Sequence, residues 1–362
     1  MLNLLLFLAG LAALIGGAEL LVRGASRLAL SFGISPLVVG LTIVAFGTSA
    51  PEMAISAGAV LGGQTGLAVG NVVGSNIFNV LFVLGISALI APLVVHRQII
   101  RQEVPILIGA SLLLVVLSLD GRLTLFEGAL LLALVFAYTV FLVVQSRRET
   151  SAAADGAPAG GSEDDVPTAS GWMARLPVQL ALIVVGLGLL VGGSNLLIEG
   201  AVGLARALGL SELVIGLTVV AVGTSMPELA TSVLAVIKGE RDIAVGNVVG
   251  SCIFNLLLVL GAGAAVAPGG LSISPNAQSF DFPVMLAVFV ACLPIFFSGY
   301  CIRRWEGLLF FAYYVAYTLY LVMFATGLGA IDLLRDAMLW FAFPLTAVTL
   351  LVIFLRAWRH QR

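Results

Sequence analysis

The chain has 362 residues, 60% of them hydrophobic and only 10% charged, with a mean hydropathy of +1.15. Soluble domains carry about 25% charged residues, so the composition excludes a soluble globular protein and points to one embedded in a bilayer. The net charge of −2 singles out no class of partner, and nucleic acid is not expected as one.

The chain opens with MLNLLLFLAGLAALIGG, which lacks a basic leading region and runs straight into AELLVRG. It reads as a first transmembrane helix and not as a cleaved signal. Apolar stretches of about 20 residues suit helical spans, and the alternating pattern of an outer-membrane barrel is absent. Helices are predicted at roughly 2–31, 36–62, 66–91, 103–119 and 123–145, then at 175–207, 211–238, 243–267, 282–298 and 305–327, with one more at 333–356. The segment between the two groups is rich in Ala, Gly, Ser, Pro and acids (TSAAADGAPAGGSEDDVPTASG) and has the composition of a solvated, flexible linker. The expected division is a first five-helix unit at 1–145, a cytoplasmic linker at 146–174, a second five-helix unit at 175–327, and an extra helix with a basic tail at 328–362. Cys252, Cys292 and Cys301 have no CxxC spacing, and His96 and His360 lie at segment ends. Neither a zinc site nor an HExxH-type enzyme is implied, and no cofactor is expected.

The two units repeat one another. GLTIVAFGTSAPEMAISAGAVLGGQTGLAVGNVVGSNIFNVLFVLG (Gly40–Gly85) aligns without a gap with GLTVVAVGTSMPELATSVLAVIKGERDIAVGNVVGSCIFNLLLVLG (Gly216–Gly261), 176 residues later. Roughly 40 of the 70 positions from Gly16 to Gly85 are identical in the second copy, far beyond chance between apolar helices. At the same offset the fourth and fifth helices of each unit match poorly. With the N-terminus outside, fourteen of the 17 Lys and Arg residues fall inside and only Arg122, Arg206 and Arg335 outside, a strong positive-inside bias. Five helices is an odd number, so the units are expected to be inverted. Inverted repeats of this kind build secondary transporters with the site near midplane at the repeat interface. The expected fold is an all-α polytopic membrane protein of two inverted five-helix repeats plus one extra C-terminal transmembrane helix.

The doubled stretch also carries the chemistry. Pro51 has no N–H for the carbonyl of Gly47, so the helix should break near Thr48–Pro51 and free backbone oxygens at membrane depth. Thr48, Ser49 and Glu52 share this region, and Ser75 and Asn79 are four apart on the next helix. The second copy supplies Thr224, Ser225, Glu228, Ser251 and Asn255. Across a pseudo-two-fold axis these make a cavity of two carboxylates, two amides, several hydroxyls and freed carbonyls, with no Lys, Arg or His partner in the motif. That oxygen set suits a hard cation such as Ca2+, and two Glu would be neutralised by one Ca2+ or two Na+. A bare acid at that depth costs about 2.5–3.5 kcal/mol on insertion scales, so the site should recruit cations or protons. Asn71 and Asn247 either hold helix ends or line the path. Glu19 and Arg23 have the spacing of a helix-surface ion pair, and Glu127 and Glu306 that of helix-start residues.

GTSAPE with GNVVGSNIFN, and GTSMPE with GNVVGSCIFN, resemble the two alpha-repeats of the sodium/calcium exchanger family in the cation/calcium antiporter superfamily, in its prokaryotic, loop-poor form. The likeness covers about residues 1–327. It implies ten core helices and a central cluster of three sodium sites and one calcium site. It also implies that Glu52 and Glu228 are carboxylates shared by both ions. Thr48 and Thr224 would add oxygens to calcium, and Ser49, Ser75, Ser225 and Ser251 would serve the sodium sites. Backbone oxygens near Ala45 and Ala221 would help the flanking sodium sites, and Asn79 and Asn255 fall at the middle pair. Many relatives carry Asp at one middle position, and here both are Asn. The proton/calcium branch usually has GNxxE-type motifs, which GNVVGS in both copies speaks against. The function implied is Na+/Ca2+ antiport in a prokaryotic inner membrane, with the C-terminus cytoplasmic, the bilayer and the two ions as partners, and no oligomeric state assigned. An H+/Ca2+ or K+-dependent antiporter, a passive cation channel and an intramembrane hydrolase are the alternatives; the last lacks a nucleophile–base set.

The topology has a direct test. A cysteine introduced at Ala159 is expected to be shielded from impermeant thiol reagents in intact cells, and labelling from outside would reverse the orientation.

Overall fold

The computed structural model describes residues 1–155, 175–208, 219, 221–326 and the single positions 336, 338, 346, 347 and 351. The linker beyond Asp155 and most of the expected helix at 333–356 lie outside the described residues. The described chain is built from ten helices. They are α1 (Leu2–Phe32), α2 (Pro36–Leu61), α3 (Thr65–Ile90), α4 (Ile99–Leu117), α5 (Leu125–Asp155), α6 (Leu176–Ala207), α7 (Ala221–Thr224 and Met226–Ile237), α8 (Arg241–Val266), α9 (Ala277–Phe297) and α10 (Arg304–Thr326). All but α7 are long and apolar enough to cross a membrane, and α7 is described as a helix only from Ala221.

Local chemistry sets the boundaries. Gly33 closes α1 in the left-handed conformation (φ 61°), where a side chain would be strained. Ser35 then caps α2 by accepting from the Val38 N–H at 3.3 Å, with Pro36 in the first turn. Glu127 and Glu306 are the expected helix-start acids. Glu127 Oε2 accepts from the Thr124 N–H at 2.6 Å, and Glu306 Oε2 from the Arg303 N–H at 2.7 Å. Three boundaries differ from expectation. α4 and α9 start at 99 and 277, not 103 and 282, because a π-helical turn precedes Pro105 and Pro283, so these prolines sit one turn inside the helix. α5 continues past 145 to Asp155, through RRETSAAA, where Arg, Glu and Ala favour helix.

The two halves run in opposite directions. Leu93–Val94, after α3, pairs antiparallel with Cys301–Ile302, after α9, and Arg122–Leu123, after α4, pairs with Leu271–Ser272, after α8. A loop that follows the third helix of one half therefore meets a loop that follows the fourth helix of the other, which only inverted halves allow. The long helices α1 and α6 are antiparallel too. Gly10, Gly17 and Gly24 sit every seventh residue on α1 and face Gly193, Gly186 and the Gln179–Ile183 turn on α6. A methyl added at Gly17 would meet the Gly186 carbonyl at 2.8 Å, and one at Gly193 the Gly10 carbonyl at 2.9 Å. Backbones come this close only where side chains are missing.

One end of this frame is tied by charge. Glu19 on α1 pairs with Arg23 and with Lys238 at the end of α7, the latter at 2.6 Å, and Ser26 donates to Glu240 at 2.8 Å. The corresponding residues of the inverted copy are Asn195, Gly62, Val202 and Gln64, which cannot form the same set.

The structure also extends the repeat where a constant offset of 176 fails. Glu103 at the start of α4 is fully buried. It accepts from Gln98 Nε2 at 3.0 Å, Gln102 Nε2 at 2.9 Å and the Tyr138 hydroxyl of α5 at 2.7 Å. Asp281 at the start of α9 accepts from Asn276 Nδ2 at 3.4 Å and the Tyr317 hydroxyl of α10 at 3.2 Å. Glu103 pairs with Asp281 at an offset of 178, and Tyr138 with Tyr317, within a shared Ala-Tyr-Thr, at 179. The loop before α9 is two residues longer than that before α4, which moves the register. The fourth and fifth helices are therefore also doubled, around an acid held by a tyrosine and an amide, buried in the first half and half-buried in the second.

Gly17→Ala is expected to lower the thermal midpoint of detergent-solubilised protein, by about 1–3 kcal/mol of overpacking. Gly16→Ala, where an added methyl meets nothing within 4 Å among the described residues, serves as the silent control.

Candidate functional site

The site forms where the broken helices α2 and α7 meet α3 and α8. In α2 the helical run stops at Thr48, passes through Ser49 (φ −77°, ψ 3°), and restarts at Ala50 with Pro51 in the first turn. In α7 the same break falls at Ser225 (φ −93°, ψ 13°), ahead of Pro227. Each break puts a serine at the interruption and a glutamate in the first turn beyond it. In α3 and α8 the helix widens into a π-helical turn that begins at Asn79 and at Asn255. Such turns re-aim side chains and recur at functional sites.

The ten predicted side chains of Thr48, Ser49, Glu52, Ser75, Asn79, Thr224, Ser225, Glu228, Ser251 and Asn255 are all buried. Their contacts cross between halves. The Ser225 hydroxyl donates to Glu52 Oε1 at 2.7 Å, and the Ser49 hydroxyl to Glu228 Oε1 at 3.5 Å. Thr48 Oγ1 lies 3.2 Å from Ser251 Oγ. The Ala45 carbonyl is within 3.4 Å of the Ser251 hydroxyl, and Ala221 stands first in the described part of α7. Among the described residues, Glu52 Oε2, Glu228 Oε2, Ser75 Oγ and both polar atoms of Asn79 and of Asn255 have no hydrogen-bond partner. Neither carboxylate has an ion-pair partner there. No three His, Cys, Asp or Glu side chains gather among the described residues, so neutral oxygens make up the rest of the donor set. Burying so many unpaired oxygens around two acids is costly unless something positive sits among them.

Several residues at the site had not been singled out as ligands or partners. Asn71 and Asn247 each bridge the halves, as described below, and bond Ser56 and Ser232. All four recur at the offset of 176, so the repeat itself carried that signal. Ser194 of α6 donates to the Gly223 carbonyl at 2.6 Å, the carbonyl that Pro227 leaves without its helical donor. The other half has Ala18 in its place, so duplication could not have pointed to it. Cys252, which replaces Asn76 in the second copy, is buried and packs with its sulfur 3.9 Å from the Asn76 carbonyl.

The two ends of the site differ. Gly246 and Asn247 on α8 are buried, with Gly246 against the Leu37 carbonyl of α2, whereas the equivalent Gly70 is exposed and Asn71 half-buried.

The profile described as "Sodium/calcium exchanger protein" matches residues 2–144 and 178–323. The chain belongs to the sodium/calcium exchanger family. Among relatives of this exchanger-family protein, the sodium/calcium exchanger MaX1 of Methanosarcina acetivorans is 33% identical over 355 residues, covering 87% of this chain and 97% of that protein. The inner membrane protein YrbG of Escherichia coli is 38% identical over 299 residues, covering 83% and 88%. A solved structure of the sodium-calcium exchanger NCX_Mj, soaked with 2.5 mM Na+ and 0.1 mM Ca2+, matches with a TM-score of 0.72 at 31% identity, over 87% of this chain and 97% of that one. The family-level expectation from the doubled motifs is met, as is the all-helical membrane fold. This is a membrane protein of a cation/calcium antiporter family.

Ser194→Ala leaves the buried Gly223 carbonyl without a donor. It is expected to destabilise the protein by about 1–3 kcal/mol, read as a lower thermal midpoint in detergent. An unchanged midpoint would mean that the freed carbonyl finds another partner.

Proposed function

We propose that this protein exchanges Na+ for Ca2+ across a prokaryotic inner membrane by alternating access, with both ions bound at the ten-residue cluster. The observation that carries the proposal is the pair of buried glutamates, each held by a serine of the opposite half through one oxygen and left with the other unpartnered. Two carboxylates at membrane depth need about two positive charges, which one Ca2+ or two Na+ supply. The two loads compete for Glu52 and Glu228, and competition couples the fluxes. Thr48 and Thr224 would complete the calcium site. Ser49, Ser75, Ser225, Ser251 and the Ala45 and Ala221 carbonyls would serve sodium, and Asn79 and Asn255 the middle position. The names of MaX1 and NCX_Mj, both sodium/calcium exchangers, support the choice of ions. Exchange of three Na+ for one Ca2+ would move one net charge per cycle, about 2.3 kcal/mol at 100 mV.

Calcium uptake into sodium-loaded proteoliposomes at fixed pH is the test. Uptake should require an outward sodium gradient, and uptake driven by a pH gradient alone would assign the counter-ion to protons. Glu52→Gln and Glu228→Gln keep the shape and halve the charge. Each should abolish exchange, whereas Asn79→Ala should only weaken it. Near wild-type sodium-dependent uptake in both glutamine variants would end the shared-carboxylate mechanism.

A further inference from the structure

A hydroxyl that ligates a cation must turn a lone pair to the ion and send its single proton elsewhere. On a helix that proton usually goes to a carbonyl one turn back. Thr48 has such a carbonyl within reach, Ala45 O at 3.3 Å. A better acceptor lies across the interface: Oδ1 of Asn247, on α8, at 3.0 Å. The orientation of this amide is not arbitrary. Its Nδ2 reaches Ser232 Oγ at 3.0 Å and the backbone carbonyl of Glu228 at 3.5 Å. A carbonyl only accepts, so the nitrogen must face it, and Oδ1 is left facing Thr48.

The inverted copy reproduces the three contacts of the asparagine. Asn71 Nδ2 reaches Ser56 Oγ at 3.1 Å and the Glu52 carbonyl at 3.4 Å, and Asn71 Oδ1 accepts from Thr224 Oγ1 at 3.5 Å. Three contacts on each side, in residues that match at an offset of 176, are more than helix–helix adhesion requires. In each case the asparagine is anchored on its own half, partly to the backbone of the glutamate, and acts on the threonine of the other half.

We infer that Asn71 and Asn247 are positioning residues for the ion site: each takes the hydroxyl proton of the opposite half's threonine, aims that threonine's lone pairs at the cation, and spares the carbonyl at Ala45 or its counterpart for a second ion. The inference rests on the reading of Thr48 and Thr224 as ligands given above. The asparagines are not placed as ligands, because Oδ1 is engaged by the threonine and Nδ2 has nothing to offer a cation. The tighter, buried Asn247 should matter more than the half-buried Asn71.

The test is a double-mutant cycle on the full-length protein in proteoliposomes. Half-saturating Ca2+ and maximal rate are measured separately, with a thermal midpoint in detergent for each variant. Thr48→Val should raise the half-saturating Ca2+ concentration. Asn247→Ala should raise it by a similar factor, about 5-fold for one lost hydrogen bond, with little change in maximal rate. Asn247→Ala with Thr48→Val should be no worse than Thr48→Val alone, since the asparagine acts only through the threonine. A silent Thr48→Val would overturn the ligand assignment and this inference with it. An effective Thr48→Val beside a silent Asn247→Ala, or factors that multiply in the double variant, would overturn the positioning role alone. If Asn247→Ala does not fold, the same cycle on Asn71→Ala and Thr224→Val decides in the same way.

Discussion

Glu52 and Glu228 are both buried with no basic residue pairing them among the described residues, and the architecture around them follows from that constraint. A glutamate inside an unbroken apolar helix would face lipid or a neighbouring helix. Here each sits in the first turn after a proline-marked break, where the backbone has already left regular hydrogen bonding. Each is held by a serine from the opposite break, so neither half can organise its own acid without the other. The surrounding hydroxyls and amides are neutral. They bring oxygen to the acids without adding further negative charge.

The frame that holds the breaks in register is made largely by omission. α1 and α6 approach through glycines on a seven-residue stripe, and α2 and α8 through Gly40, Gly246 and Gly250, whose missing side chains let backbones touch. At the membrane edges two short antiparallel strand pairs join loops of opposite halves. Farther out, Glu103 and Asp281, each bonded to a tyrosine, pin the fourth helix of each half to the fifth. The polar cost of the centre is thus carried by a periphery with few unsatisfied groups.

Much of this was legible in the chain. Membrane class, the inverted halves, the helix breaks and the doubled acids all follow from composition, charge bias and one gapless repeat. The second doubled cluster did not, because a loop two residues longer shifts its register and comparison at one fixed offset hides it. Asn71 and Asn247 were visible as repeated residues, but a sequence does not say which partner an amide faces. Ser194 had no signal of its own. Its task, satisfying the carbonyl that a proline abandons, exists only once the helices are packed.

Inverted repeats with identical contacts would give the two states of an alternating-access protein equal energy, for the same reason that a mirror-balanced lever rests level. The ties from Glu19 to Lys238 and from Ser26 to Glu240 have no equivalent among the described residues at the opposite end. They are a weight on one arm. Under the alternating-access mechanism proposed above, a tie on one side alone would favour the state that shuts that end. Sidedness therefore does not have to come wholly from membrane potential or ion gradients. It begins with a lysine in a place where the first copy of the repeat has a glycine.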